Sequence, residues 1–179
     1  MSDEQNRVRR LHIGGKEVRD GWEILDAIPA GHVDHLGDAS DLSRFPDGTF
    51  TDVYASHVLE HIDTRDEKIL QALKEWHRVM QPGGTLYVSV PDMERLCHLY
   101  LTPGLAPDAR FGIMKMVFGG HMDDYDYHLV GIDEGYLIHL LKKAGFGSVR
   151  RVQSFDLFQD TSVMQALGLP ISLNMSATR

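Results

Sequence analysis

The sequence predicts an α/β fold built on a wound, largely parallel sheet. Three observations carry that expectation. The stretch from Thr51 to Asp92 reads as strand, helix, strand. The apolar runs at its two ends are continuous rather than alternating, as in strands buried on both faces. The segment between them places Ile69, Leu70, Leu73, Trp76 and Met80 at three- and four-residue steps, which makes one apolar helical face. A strand, a helix and a strand in that order close as a right-handed parallel crossover. Ligands of such sheets bind outside the carboxyl ends of the strands, so Ser56, His57, Pro91 and Asp92 are expected on the rim of any site.

From the amino end, Arg9 to Ile13 reads as a first strand stopped by Gly14-Gly15. Trp22 to Asp26 is a second and Val33 to Leu36 a third. Only Lys16 to Gly21 and Ala27 to His32 connect them, whereas a crossover with a helix takes ~10–12 residues or more. Both connections are therefore expected to be loops, with the helices reduced in the first half. Part of the sheet face would then lack its helical cover. The N-terminal arm (residues 1–8), the later helices or a second subunit must hide it, so a homo-oligomer is expected. Asp38 to Leu42 reads as the entry to a short helical turn, and Phe45-Pro46-Asp47-Gly48 as a turn.

Asp52 to Ala55 is the next strand, turning at Ser56-His57. A helix over Asp66 to Met80 is stopped by Gln81-Pro82-Gly83-Gly84, and Thr85 to Val90 is a strand. Helices are expected over Met93–Leu101 and Asp108–Phe118, the second with Phe111, Met114 or Lys115, and Phe118 in phase. Gly119 to His128 is a polar, aromatic loop. Asp133 caps a helix that runs to Ala144 and stops at Gly145. Val149 to Phe155 and Leu173 to Thr178 are the last strands, the final one inserted antiparallel.

The chain of 179 residues is expected to form one domain over residues 9–179. Such a domain buries roughly 70% of its unfolded surface. Eighteen basic against 26 acidic residues give a net charge of −8, which argues against nucleic acid or an anionic membrane as main partner. The single cysteine, Cys97, excludes an internal disulfide framework and a multi-cysteine zinc site, and reads as a small core residue. Met1-Ser2-Asp3-Glu4 opens no apolar signal region, and no apolar run approaches the ~20 residues of a membrane span. A soluble, cytoplasmic protein is expected.

Tyr54-Ala55-Ser56-His57-Val58-Leu59-Glu60-His61, then Glu75-Trp76-His77-Arg78-Val79-Met80-Gln81-Pro82-Gly83-Gly84, resemble the post-strand-four motif and the turn before strand five of the class I S-adenosylmethionine-dependent methyltransferases. Gly131-Ile132-Asp133 through Ala144-Gly145-Phe146 resembles that family's late helix and its ending. The resemblance runs from about Arg9 to Thr178. It implies a Rossmann-like, doubly wound, seven-stranded sheet, mostly parallel with the last strand antiparallel, and S-adenosylmethionine as cofactor. The departure is at the first turn, Leu11-His12-Ile13-Gly14-Gly15-Lys16. His12 stands where the family carries an acid, and the family's third glycine is missing. By resemblance, Gly14 and Gly15 admit the cofactor's methionine portion, Asp26 holds the ribose hydroxyls, Asp38 and Ala39 meet adenine, and Ser56 and His57 complete the cofactor site. Each has a plainer reading: a common glycine turn, a turn aspartate before Ile28-Pro29, a cap at Asp38 or Asp41. Leu42 and Phe45 face adenine or, more ordinarily, the core.

Transfer of a methyl group from a sulfonium is a direct displacement, so the protein contributes chiefly proximity and orientation. An oxygen or nitrogen acceptor also has a proton to lose. His57 and His128 are the candidate catalytic residues, and His61 reads as structural. His121, Asp124, Tyr127 and His128 are the candidate acceptor-binding residues: imidazole can take a proton near neutrality, and carboxylates orient hydroxyls. The same loop could be a solvated acidic lid. A divalent ion on His121, Asp124, Asp126 and His128 matches no strong spacing, and no metal is expected.

The expected function is methyl transfer to a small or saccharide-like acceptor. The competing reading is a catalytically silent module for binding or assembly, motivated by His12, the missing glycine and the short connections. A nicotinamide-dependent dehydrogenase is disfavoured, because no G-x-G-x-x-G opens a helix after the first strand.

Overall fold

The computed structural model describes residues 8–179; most of the expected N-terminal arm, residues 1–7, lies outside them. The strands of the main sheet are β1 (Arg10–Ile13), β2 (Trp22–Asp26), β3 (His35–Leu36), β4 (Phe50–Ser56), β5 (Met80–Pro91) and β6 (Gly147–Val152). A small hairpin, β7 (Gln165–Ala166) and β8 (Leu169–Pro170), precedes the last strand, β9 (Ser172–Thr178). The sheet order is β3-β2-β1-β4-β5-β9-β6. The pairs β1–β2, β1–β4, β2–β3 and β4–β5 are parallel. β9 runs antiparallel to both of its neighbours, β5 and β6. This is the seven-stranded, mostly parallel architecture the sequence predicts.

α1 (Lys68–Val79) lies between β4 and β5 and buries Ile69, Leu70, Leu73 and Trp76. It packs against α4 (Glu134–Ala144) on one face of the sheet, and α4 contributes Leu137, Leu140, Leu141 and Ala144 to the same core. Full burial of each such side chain contributes about 1.5–3 kcal/mol. Asp133 caps α4 by accepting the Tyr136 N–H, and Gly145, at φ +105°, ends it. Leu42 and Phe45 belong to this core rather than to a ligand site.

The other face is where expectation and structure part. No helix joins β1 to β2, β2 to β3 or β3 to β4, as the short connections require. Yet that face is not bare. His12, Trp22 and Tyr54 point into it and are covered by Phe155, Leu157 and Phe158, from the irregular segment after β6. Tyr54 donates its hydroxyl to Asp160 at 2.8 Å and so ties the segment down. The chain supplies its own cover, and the premise behind the expected homo-oligomer is gone.

Other boundaries shift for local reasons. The third strand keeps only His35–Leu36. Asp38 to Leu42 forms turns, not helix, because Asp38 spends its carboxylate on Ser40. β6 ends at Val152, before the covering segment begins. α2 (Met93–Tyr100) buries Leu96 and Leu99, but Cys97, expected in the core, is exposed. α3 (Pro107–Phe118) is turned over: it buries Ile113, while Phe111 and Phe118 are more than half exposed. The in-phase aromatic set faced solvent because Ile113, Met116 and Val117 make the better contact with Leu96 and Leu99 of α2. Among the described residues no helix is long and apolar enough to cross a membrane.

Candidate active site

Beyond the carboxyl ends of β1, β2 and β4 lies a cleft of about 730 Å³. Its floor starts at the turn after β1. Gly14 sits at φ +71°, and a Cβ there would stand 2.6 Å from Val58 Cγ2, so both conformation and space require glycine. Gly15 serves a different neighbour. It is buried, a Cβ on it would meet the His12 ring at 2.6 Å, and it does not line the cleft. The residue in the acid's place is thus part of an aromatic core. Burial pushes the His12 imidazole down to about 4, against a smaller opposing pull from Asp160.

Asp26 ends β2 at the cleft wall. Its Oδ1 accepts the Ile28 N–H at 2.8 Å, the turn role, which orients the carboxylate and leaves Oδ2 with no partner among the described residues. Asp38 and Ala39 follow β3 and line the same cleft. Asp38 Oδ1 accepts both the N–H and the hydroxyl of Ser40, at 2.7 and 2.6 Å. Ala39 is held from below: Trp76 of α1 donates its indole N–H to the Ala39 carbonyl at 2.7 Å. The wall opposite comes from the turn after β4, with His57, Val58 and His61, and from the loop Met122–Tyr127.

Of the residues expected at the site, Gly14, Asp26, Asp38, Ala39, His57, Asp124 and Tyr127 are gathered around this cleft, and Gly15, Ser56, His121 and His128 do not line it. The Ser56 hydroxyl is buried without a partner. His121 stacks on Tyr127, with ring centroids 4.1 Å apart, and its Nε2 donates to the Phe118 carbonyl at 2.9 Å. His57 adopts a left-handed backbone, φ +53°, with Nε2 2.9 Å from Ser172 Oγ and Nδ1 facing Glu60 Oε1 at 3.2 Å. His128 also faces Glu60, at 3.9 Å, and burial holds its imidazole below the ordinary value. The two candidate bases are turned toward a buried carboxylate. His61 has the structural bond expected of it, between Nδ1 and the Tyr127 carbonyl at 3.1 Å. Among the described residues the divalent-ion set weighed on the loop does not assemble; of its members only His128 joins a cluster whose donor atoms converge, with Glu60 and His61. Asp92 and Pro91 do not line this cleft; Asp92 lines a second, smaller cavity beside α2. Asp92 caps α2 through Arg95 N–H and pairs with Arg151 at 2.5 Å.

Sequence reasoning passed over Lys16, Ile28 and Ile62, all in the cleft lining. Lys16 had a readable signal, a cation one residue past the glycine turn. Ile28 and Ile62 had none, being single apolar residues in irregular chain. The assembled set fits a nucleoside that carries an amino acid. Gly14 leaves room for close approach of a chain, Asp26 and Asp38 offer carboxylate acceptors to hydroxyls or an exocyclic amine, and Ile28 offers an apolar surface.

A family model described as a methyltransferase domain matches residues 24–88. A ubiquinone/menaquinone biosynthesis C-methyltransferase UbiE of Salmonella arizonae is 31% identical over 157 residues, covering 83% of this chain. The chain spans 60% of that relative's length. Among solved structures, an S-adenosylmethionine-dependent methyltransferase from Archaeoglobus fulgidus superposes with a TM-score of 0.60 at 16% identity, covering 97% of this chain and 87% of its own. A 1,6-didemethyltoxoflavin-N1-methyltransferase of Burkholderia thailandensis, with 1,6-didemethyltoxoflavin and S-adenosylhomocysteine bound, gives 0.57 at 15% identity, covering 98% of this chain and 73% of its own. Those two likenesses concern the fold. With the sheet order and the antiparallel β9, they show that the chain has the fold of S-adenosylmethionine-dependent methyltransferases, and within it residues 24–88, from β2 into β5, are similar to the methyltransferase-domain family.

Proposed function

We propose that this protein binds S-adenosylmethionine in the cleft and transfers its methyl group to a small, polar, saccharide-like acceptor. The observation that carries the reading is the convergence of Gly14, Asp26 and Asp38 on one cavity of about 730 Å³ at the carboxyl edge of the sheet. Asp26 Oδ2 would accept from the ribose hydroxyls, and Asp38 and the backbone at Ala39 would meet the base. Lys16 would neutralise the carboxylate of the methionine portion. The bound cofactor supplies an electrophilic methyl group on a sulfonium centre.

What the protein adds is placement. The loop Met122–Tyr127 forms the outer wall, and its Asp123, Asp124 and Asp126 carboxylates, with the Tyr125 and Tyr127 rings, favour an acceptor that presents hydroxyls along an apolar face. Asp126 is drawn inward by the Met122 and Gly120 N–H groups, and these hold its carboxyl below the ordinary range despite partial burial. Asp124 and Tyr127 are left to face the acceptor.

Calorimetry with S-adenosylmethionine and with its demethylated product tests the cofactor half. Both are expected to bind in the micromolar range, and Asp26→Ala is expected to weaken both by an amount typical of a lost charged hydrogen bond, about 1.5–3 kcal/mol. Failure of either nucleoside to bind at millimolar concentration would return the chain to the silent-module reading. Transfer of labelled methyl to a panel of hydroxylated acceptors, with Asp124→Asn as the comparison, tests the other half.

A further inference from the structure

Glu60 is the one buried carboxylate among the described residues whose two oxygens both lack a hydrogen-bond partner, and its side chain is 1% exposed. Such a group persists only with positive charge against it. Its neighbours are imidazoles: His57 Nδ1 at 3.2 Å and His128 Nε2 at 3.9 Å from Oε1. The His61 ring stands edge-on to His128 with centroids 4.8 Å apart. One donor atom each from Glu60, His61 and His128 lie within 4.8 Å of one another.

Hydrogen bonding fixes where the lone pairs point. The Ser172 hydroxyl donates to the Thr161 carbonyl at 2.8 Å, so it accepts from His57 Nε2–H. In the neutral ring the His57 Nδ1 lone pair then faces the Glu60 carboxylate. The Tyr127 carbonyl can only accept, so His61 Nδ1 carries the proton and Nε2 keeps its lone pair. A histidine whose second nitrogen donates to a backbone carbonyl is the usual arrangement behind a metal ligand. Lone pairs and a carboxylate converge on a point that holds no donor.

We propose that Glu60, His61 and His128 bind one divalent first-row transition cation, of the manganese, cobalt or zinc class. Two imidazoles and one carboxylate suit these metals and leave coordination positions open. Magnesium and calcium prefer all-oxygen sets and are disfavoured. Ligand atoms at about 2.0–2.2 Å from an ion stand at most about 4.4 Å apart, so small side-chain rotations complete the site. The backbone is already fixed for it. Glu60 and His61 share a 3-10 turn after β4, Leu129 N–H donates to the Glu60 carbonyl at 2.8 Å, and His128 N–H donates to Phe118 at 3.1 Å. His61 lines the cleft, so the open positions look toward the acceptor side. Resting on the methyl-transfer reading, the ion would take an acceptor oxygen as a Lewis acid and so favour hydroxyl acceptors. The binding of the ion itself does not depend on that reading.

The test is calorimetric titration of the chelator-treated full chain with Mn2+, Co2+ and Zn2+, alongside the visible absorption of Co2+. One equivalent is expected to bind in the micromolar range and to raise the melting temperature. E60Q and H128A are each expected to weaken binding by roughly tenfold or more, and His98→Ala, at an exposed histidine of α2, to leave it unchanged. Circular dichroism checks that the variants fold; should E60Q not fold, H128A and H61A carry the comparison. Absence of binding, or binding as tight in E60Q and H128A as in the unaltered chain, would overturn the site. Titration of the metal-free chain with S-adenosylhomocysteine separates the two proposals. Nucleoside binding without metal binding sinks only the metal site, and metal binding without nucleoside binding sinks only the methyl-transfer reading.

Discussion

His12 shows what a single substitution in a shared motif does to the surrounding chemistry. A carboxylate at this position could not be buried among Trp22, Tyr54 and Phe158 without a partner. An imidazole can, if it stays neutral. Its ring lies 4.1 Å from Phe158 and 4.9 Å from Tyr54, and burial lowers its pKa from 6.5 to about 4. The unfolded chain therefore binds a proton between pH 6.5 and 4 that the folded chain does not. Stability is complete above pH 6.5 and falls as the pH drops toward 4, by about 3 kcal/mol in all. Urea denaturation at pH 7 and pH 4.5 measures this, and His12→Phe should lose most of the difference. An equal acid sensitivity in that variant would mean that other groups set it. The position of His12 was legible as a departure from a pattern, but its cause was not. The aromatic residues that surround it come from strands far apart in the chain and from an irregular segment.

At the scale of elements, α1 and the turn it supports were the most legible part. The apolar repeat from Ile69 to Met80 and the stop at Pro82 are local signals, and the structure places the helix within two residues of where they put it. What they do not reveal is that Trp76 also reaches out of its helix to hold the Ala39 carbonyl, a contact across 37 residues. The expectation for Asp38 and Ala39 came from family resemblance, and the physical support for it comes from α1. Trp76→Phe keeps the apolar ring and removes the donor. Because the Ala39 carbonyl is then left unsatisfied, the expected loss of stability is about 1–3 kcal/mol. The segment that would meet the base should also loosen, with S-adenosylhomocysteine binding several-fold weaker while the fold persists. A melting curve and a calorimetric titration on the same variant separate the effects. Lost stability with unchanged affinity would show that Ala39 does not position the nucleoside. α3 is the opposite case. Phe111, Met114 and Phe118 fall in phase along it, and the periodicity alone gave no means of telling that Ile113 would take the buried side.

The molecule as a whole solves a problem that its own sequence poses. Short connections between β1, β2, β3 and β4 leave no helix to cover one face of the sheet. The cover comes instead from the chain between β6 and β9, which crosses behind the sheet to place Phe155, Leu157 and Phe158 over Tyr54 and Trp22. Nothing periodic marks that segment, because Phe155 and Phe158 sit in irregular chain ahead of a short 3-10 element. A reading based on strand and helix signals therefore inferred a missing layer and called in a second subunit. Phe158 is 3% exposed and touches His12, Trp22 and Tyr54, so it holds the cover to the sheet. Phe158→Ala is expected to cost about 3–5 kcal/mol, the range for deleting a buried aromatic ring. It should also shift Trp22 emission to the red and raise binding of a hydrophobic dye, since the exposed rings have no helix to fall back on. Urea denaturation of the variant, followed by Trp22 fluorescence, measures both. A loss below about 1 kcal/mol, with Trp22 still shielded, would mean that the segment only rests on the sheet, and the search for another cover would reopen.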